Sequence, residues 1–221
     1  MIPIILAFNA SGALAINMEL YDWSFNIDGN MSENLAGDEM PVTGELTDGL
    51  GTLSWSTGDA GNHSFLAFFD HQIDADINTF FNEYGDAGGL PESGQEDGGT
   101  WLQSWEIDEP GWVFGDIYNN VLNGALDNTN GVPSGSEDDV SMALGWGFTL
   151  NEGYRATIDL FIRDTAPEAG FYMAHCDPDS NAAVYVSGDI NYEPVPEPGT
   201  IVLVSLGLIM LGFGRKRFKQ A

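Results

Sequence analysis

Basic residues are scarce. Six Lys and Arg stand against 34 Asp and Glu in 221 residues, and four of the six, Arg215, Lys216, Arg217 and Lys219, crowd the last seven positions. All the acids lie between Glu19 and Glu197, where only Arg155 and Arg163 oppose them, so that stretch carries a formal charge of −32. Such a surface repels phosphate backbones, which excludes nucleic acid as a partner. Cysteine is down to Cys176, so no internal disulfide can form and the body must hold itself by its core. A lone cysteine in such a body is expected to be buried. The three histidines, His63, His71 and His175, have no short spacing of the zinc-binding kind. There is no GxSxG nucleophile elbow and no phosphate-binding P-loop. With 34 carboxylates a glycosidase-like pair could be drawn anywhere, so none is nominated. The chain is expected not to be an enzyme, with no catalytic residue, no metal ligand set and no cofactor. Ca²⁺ stays open only because carboxylate and carbonyl oxygens are what it prefers.

What the sequence does contain is alternation. In residues 140–150, Val140, Met142, Leu144, Trp146, Phe148 and Leu150 point one way and Ser141, Ala143, Gly145, Gly147 and Thr149 the other. That is the period of a half-buried strand. Tyr154, Ala156, Ile158, Leu160 and Ile162 repeat it, and the turn at Asn151, Glu152 and Gly153 predicts a hairpin between the two. Tyr21, Trp23, Phe25 and Ile27 give a third strand. Shorter candidates are 52–56, 64–72, 101–107, 112–118, 170–176 and 183–192. About nine strands result, the pattern of an all-β antiparallel sandwich or jelly roll. The polar, glycine-rich stretches 29–51, 85–99 and 119–139 read as long surface loops, and 77–84 as either strand or short helix.

Two acidic segments invite a metal and are better read without one. Asp74, Asp76 and Asn78 match the first, third and fifth positions of an EF-hand loop, but Thr79 and Gly85 stand where Gly and Glu are required. Asp177, Pro178, Asp179, Ser180 and Asn181 make a tight turn closed by Asx-type hydrogen bonds. Trp55, Trp101, Trp105, Trp112 and Trp146 could stack on sugars, but their alternating context favours the core. Trp112, after Glu109, Pro110 and Gly111, is the one expected outside.

Both termini read as addresses. Residues 1–15 have an apolar centre and end on Ala13, Leu14 and Ala15, a small-x-small cleavage site. No basic residue precedes that centre, so this is either a weak signal peptide or a chain whose true start lies upstream; a first β-strand is the alternative. At the other end, Pro196 and Pro198 around Glu197 make a stiff, extended stalk. An uncharged run, 200–214, follows, and then Arg215, Lys216 and Arg217. As a helix the run would span only about 22 Å against a hydrocarbon core of roughly 30 Å, which snorkelling basic side chains can extend. By the positive-inside rule the basic cluster stays cytoplasmic and everything before the stalk crosses the membrane. An ordinary single-pass anchor or a buried apolar helix are the plainer readings.

This tail resembles the PEP-CTERM sorting signal of exopolysaccharide-producing Gram-negative bacteria. The resemblance implies recognition at Pro196, Glu197 and Pro198 by an exosortase, a membrane protease-transpeptidase, with Arg215, Lys216 and Arg217 as the basic stop. It also implies transient residence in the inner membrane, and delivery to the cell surface or beyond. The body looks like the β-rich bodies that often carry this tail, notably at residues 170–181; that likeness implies no activity.

The expected organisation is a signal peptide at 1–15, an acidic β-sandwich at 16–192, and a sorting signal at 193–221 with a transmembrane helix at 200–214. The expected role is structural or adhesive, in association with exopolysaccharide or biofilm. The rivals are a carbohydrate-binding module, with or without Ca²⁺, and a secreted hydrolase, for which the sequence offers nothing beyond abundant carboxylates.

Overall fold

A computed structural model describes residues 17–74, 79–111 and 114–196. The expected signal peptide and transmembrane helix lie outside the described residues, as do Trp112, Asp76 and Asn78. Within the described residues no helix is long and apolar enough to cross a membrane.

The strands are β1 (Met18–Ile27), β2 (Asn30–Glu33), β3 (Thr43–Thr47), β4 (Leu50–Thr57), β5 (Gly61–Ile73), β6 (Tyr84–Gly88), β7 (Ser93–Glu96), β8 (Gly99–Asp108), β9 (Ser141–Leu150), β10 (Tyr154–Arg163), β11 (Tyr172–Asp177) and β12 (Ala182–Pro194). One helix, α1 (Ile117–Asn123), precedes β9. The strands form two six-stranded sheets, ordered β2-β1-β5-β9-β8-β7 and β3-β4-β10-β12-β11-β6. Every named pair is antiparallel.

The about nine strands expected become twelve. The four additions, β2, β3, β6 and β7, are the four edges of the two sheets. They run through the stretches read as loops, because an edge strand of four or five polar residues buries too little to show alternation. The strand expected at 112–118 is not there: Ile117 begins α1 instead. Ile117 and Val121, four apart and both buried, define its apolar face, and Gly124 ends it in the left-handed conformation. The stretch left open between strand and helix holds a short 3₁₀ turn at Phe80–Asn82, after which β6 begins.

The hairpin expected at residues 140–162 is also corrected. β9 pairs with β5 and β8, whereas β10 pairs with β4 and β12 in the other sheet. The turn at 151–153 is therefore an arch between sheets. Both strands alternate because each faces the shared core from its own side. Phe25, Phe65, Phe69, Met142, Leu144 and Trp146 of the first sheet meet Leu53, Ile158, Leu160, Ile162, Met173, Val184 and Val186 of the second in one buried cluster. Burying each such side chain contributes about 1.5–3 kcal/mol relative to exposure. Aromatic edges knit the layers: Trp55 of β4 lies 5.5 Å from Phe65 and 6.3 Å from Phe148. Gly188 of β12 has no room for a side chain: the Asp159 carbonyl oxygen lies 2.6 Å and the Trp146 ring 2.8 Å from where a Cβ would sit. Trp146 is buried, and Trp55, Trp101 and Trp105 are half-buried against the same core, so core packing is their role.

The outward side of β9 is not solvent-facing as its alternation suggested. Ser141, Ala143 and Gly145 are buried, because α1 roofs the outer face of the first sheet. Ile117, Val121 and Leu126 pack there on Leu66, Phe68 and Ala143 as a second, smaller core. Asn26 fastens the roof: its amide donates to the carbonyls of Val121 (2.8 Å) and Leu122 (3.2 Å).

Candidate functional site

The register sorts the connections by end. At one end β12 finishes, and the turns there, residues 28–29, 58–60, 97–98 and 151–153, are two or three residues each. We call this the tail end. At the opposite end lie the long connections, 74–83 and 109–140, and the turns at 48–49 and 178–181. β12, thirteen residues long, joins the two ends over about 40 Å. Pro194 still pairs with Tyr154, and the Val195 amide donates to the Gly153 carbonyl at 2.7 Å. Pro196 is exposed beyond that last bond, while Glu197, Pro198, Arg215, Lys216 and Arg217 lie outside the described residues.

The far end gathers the buried polar groups. The Asp177 carboxylate accepts from the amides of Asp179 (2.9 Å) and Ser180 (3.2 Å) and from the Ser180 hydroxyl (2.6 Å), which is the Asx-type turn the sequence predicted. Asp179 accepts from the Thr79 amide at 2.9 Å, so this turn and the EF-hand-like stretch are neighbours in space. Of that stretch, Asp74 is in the left-handed region at φ 53° and bonds the Asn17 amide at 3.4 Å. His175, fully buried, sets its Nε2 2.6 Å from Glu83. His71, also buried, donates from Nε2 to the Gly49 carbonyl at 3.1 Å, and burial holds it down to about 4, in the neutral form. Nδ1 of each has no partner among the described residues. His63 belongs to the tail end. Its Nδ1 and Nε2 face the Asp28 carboxylate (2.8 Å) and the Asp59 carbonyl (2.6 Å), two acceptors, which calls for the doubly protonated ring. Burial opposes that charge, but the two bonds and the nearby acids outweigh it and raise its affinity for a proton. The histidines thus have separate hydrogen-bond partners.

One carboxylate group escaped the sequence reading. Glu106, Asp108 and Asp116 bring oxygens within 4.8 Å of one another, the only such group among the described residues. Glu106 and Asp108 share the outward side of β8, which their spacing of two could have signalled; Asp116 arrives from the N-terminus of α1, which it could not. These oxygens are of the hard kind Ca²⁺ takes, yet several are already committed. Glu106 accepts from Asn120 (2.9 Å) and the Asp127 amide (3.0 Å), and Asp108 from the Asp116 amide (2.9 Å). The group pins the roof and its following loop to β8.

A groove of about 770 Å³ opens at the same end, lined among others by Tyr84, Tyr185, Asp48, Asp164, Asn181 and Cys176. Cys176, expected inside, is half-buried there, because it points to the outer face of β11 rather than into the core. Burial raises its thiol, outweighing the hydrogen bond from Tyr84. Among the described residues the groove's lining offers aromatic rings, hydroxyls and carboxylates and no basic side chain. It can hold a polyhydroxyl or a cation, and would repel an anion.

Residues 194–217 match the protein family described as the PEP-CTERM protein-sorting motif. The match begins where β12 ends, so the motif is attached directly to the last strand of the body. It marks an exported protein that is processed at the membrane by exosortase. No characterised protein and no solved structure matches the chain.

Proposed function

We propose that the body is a structural or adhesive component of the extracellular matrix or cell surface, delivered by the sorting motif and retained by contact with exopolysaccharide. The observation that carries this reading is the opposition of the two ends. The sorting motif leaves from the end of short turns, and the groove and long connections sit about 40 Å away at the other. A body held by its tail would turn that end outward. Loops on a rigid scaffold are where binding concentrates. The high negative charge keeps such a body soluble and its copies apart. On this reading the chain is acted upon by a processing enzyme and performs no catalysis of its own. The test is fractionation of the native host: the protein should co-purify with extracted exopolysaccharide. Recovery free in the medium, with none on the polysaccharide, would overturn it.

A carbohydrate-binding module is the second reading, favoured by the tyrosines and carboxylates of the groove. Rings that stack on sugar faces and acids that hold hydroxyls are the expected chemistry. A glycan array run with and without a chelator tests it. Binding lost in Tyr84→Ala and Tyr185→Ala variants supports the groove; silence in both conditions removes the reading, and loss on chelation assigns Ca²⁺ a part.

A further inference from the structure

Asp70 stands in an unusual place for a carboxylate. It is on the outward side of β5, two residues beyond the Phe68 that α1 covers, and only 4% exposed. Directly across the ladder on β1 is Asp22, also 4% exposed, and the row continues over Ser141 of β9 to Asp108 of β8. Opposed side chains in an antiparallel ladder have Cβ atoms about 5 Å apart, and like charges so placed repel.

The neighbours of Asp70 have hydrogen-bond partners, and Asp70 has none among the described residues. Asp22 accepts from the Trp23 amide at 2.8 Å and from the Asn34 side chain. Ser141 spends its hydroxyl on the Asp108 carbonyl at 2.9 Å. Asp139, just before β9, accepts from the Val140 amide. Asp70 receives no hydrogen bond among the described residues. The ionisable groups facing it are Asp22 from β1, Asp139 from the segment entering β9, and Glu83 from the segment entering β6. His175 of β11 is engaged by Glu83, and Tyr118 of α1 lies over Phe68 with its hydroxyl donated to Glu33. No lysine or arginine is near: the only two among the described residues, Arg155 and Arg163, are on β10 of the other sheet.

An ionised carboxylate, buried without donor or cation and facing three other acids, is a state a protein avoids by taking up a proton. We propose that Asp70 is a neutral carboxylic acid in the folded body, and that its ionisation in alkali weakens the fold. A bound cation is the competing way to balance the charge. Among the described residues the oxygens around Asp70 do not converge as those of Glu106, Asp108 and Asp116 do, which favours the proton. Burial first, and then Asp139, Asp22 and Glu83, push Asp70 up to about 8 from its ordinary 3.8.

The sign follows from linkage. Between those two values the folded chain keeps a proton that the unfolded chain has lost, so stability falls as pH rises through that window and levels off above it. The full chain in detergent micelles, unfolded with denaturant at a series of pH values, tests this against Asp70→Asn. The folding equilibrium constant of the native chain should fall relative to that of the variant by about tenfold for each pH unit between about 4 and about 8. Parallel pH profiles would overturn the proposal. Should the variant fail to fold, carboxyl-¹³C NMR of the native chain reads the same group: one aspartate must titrate last, well above the rest, and complete ionisation of all aspartates by pH 6 overturns it. Calcium added at pH 7 should not stabilise the native chain over the variant; if it does, a cation and not a proton balances the site.

Discussion

The two ends of the sandwich differ in how they are built. The tail end closes with four turns of two or three residues and hands the chain to the sorting motif from the last rung of β12. The far end carries two long connections, a roofing helix, two buried histidines and most of the buried acids. Short turns leave little backbone to satisfy and little to vary. Long connections must be pinned by side chains, and here the pins are carboxylates in a chain with almost no basic residues to meet them. The point where the sorting motif leaves is thus physically separated from the groove and the long connections.

The sharpest contrast should come from the roof. Ile117→Ala empties a fully buried site between α1 and Phe68, and we expect a loss of about 2–4 kcal/mol in denaturant unfolding. Amide exchange should rise over residues 114–131 while the tail-end turns stay protected. Glu106→Ala removes the acceptor for Asn120 and Asp127, and about 1–3 kcal/mol should go with it. The Asp70→Asn profile described above belongs next, because its size depends on pH.

At the tail end the effects should be smaller. Gly153 has φ +83° with open space around it, so Gly153→Ala meets only the left-handed penalty, about 1 kcal/mol, readable as a modest shift in the denaturation midpoint. His63→Gln should matter least and only in acid. The proton affinity of His63 is raised in the fold, so its contribution is fully present below the ordinary value of 6.5 and is lost as pH rises through the higher folded value. Native and variant chains should therefore differ in stability at pH 6 and converge in alkali; an equal difference at both would remove the charged-histidine account.

How much of this was legible follows the same division. The central strands were readable because each turns a row of apolar residues to the core: Ser141 to Leu150, Tyr154 to Ile162 and Tyr21 to Ile27 are all strands. The edges β2, β3, β6 and β7 were not, since residues such as Ser93, Gly94, Gln95 and Glu96 bury almost nothing and pair by backbone alone. Alternation also cannot say to which sheet a strand belongs, which is why the turn at 151–153 read as a hairpin and is an arch. The roof was missed because Trp112, Phe114 and Tyr118 fit a period of two about as well as Ile117 and Val121 fit a helix. The sorting motif was readable from local order alone: proline stalk, apolar run, basic cluster. The cluster of Glu106, Asp108 and Asp116 and the facing of Asp22 by Asp70 depend on register and on a long connection, and no local pattern encodes either.

Processing at the sorting motif changes the mass of the chain. The intact mass of the native protein, recovered from its host by cell fraction, is the measurement to make. We expect a body ending near Pro198 in the outer or extracellular fraction. A chain that still ends at Ala221 and stays in the inner membrane would contradict it.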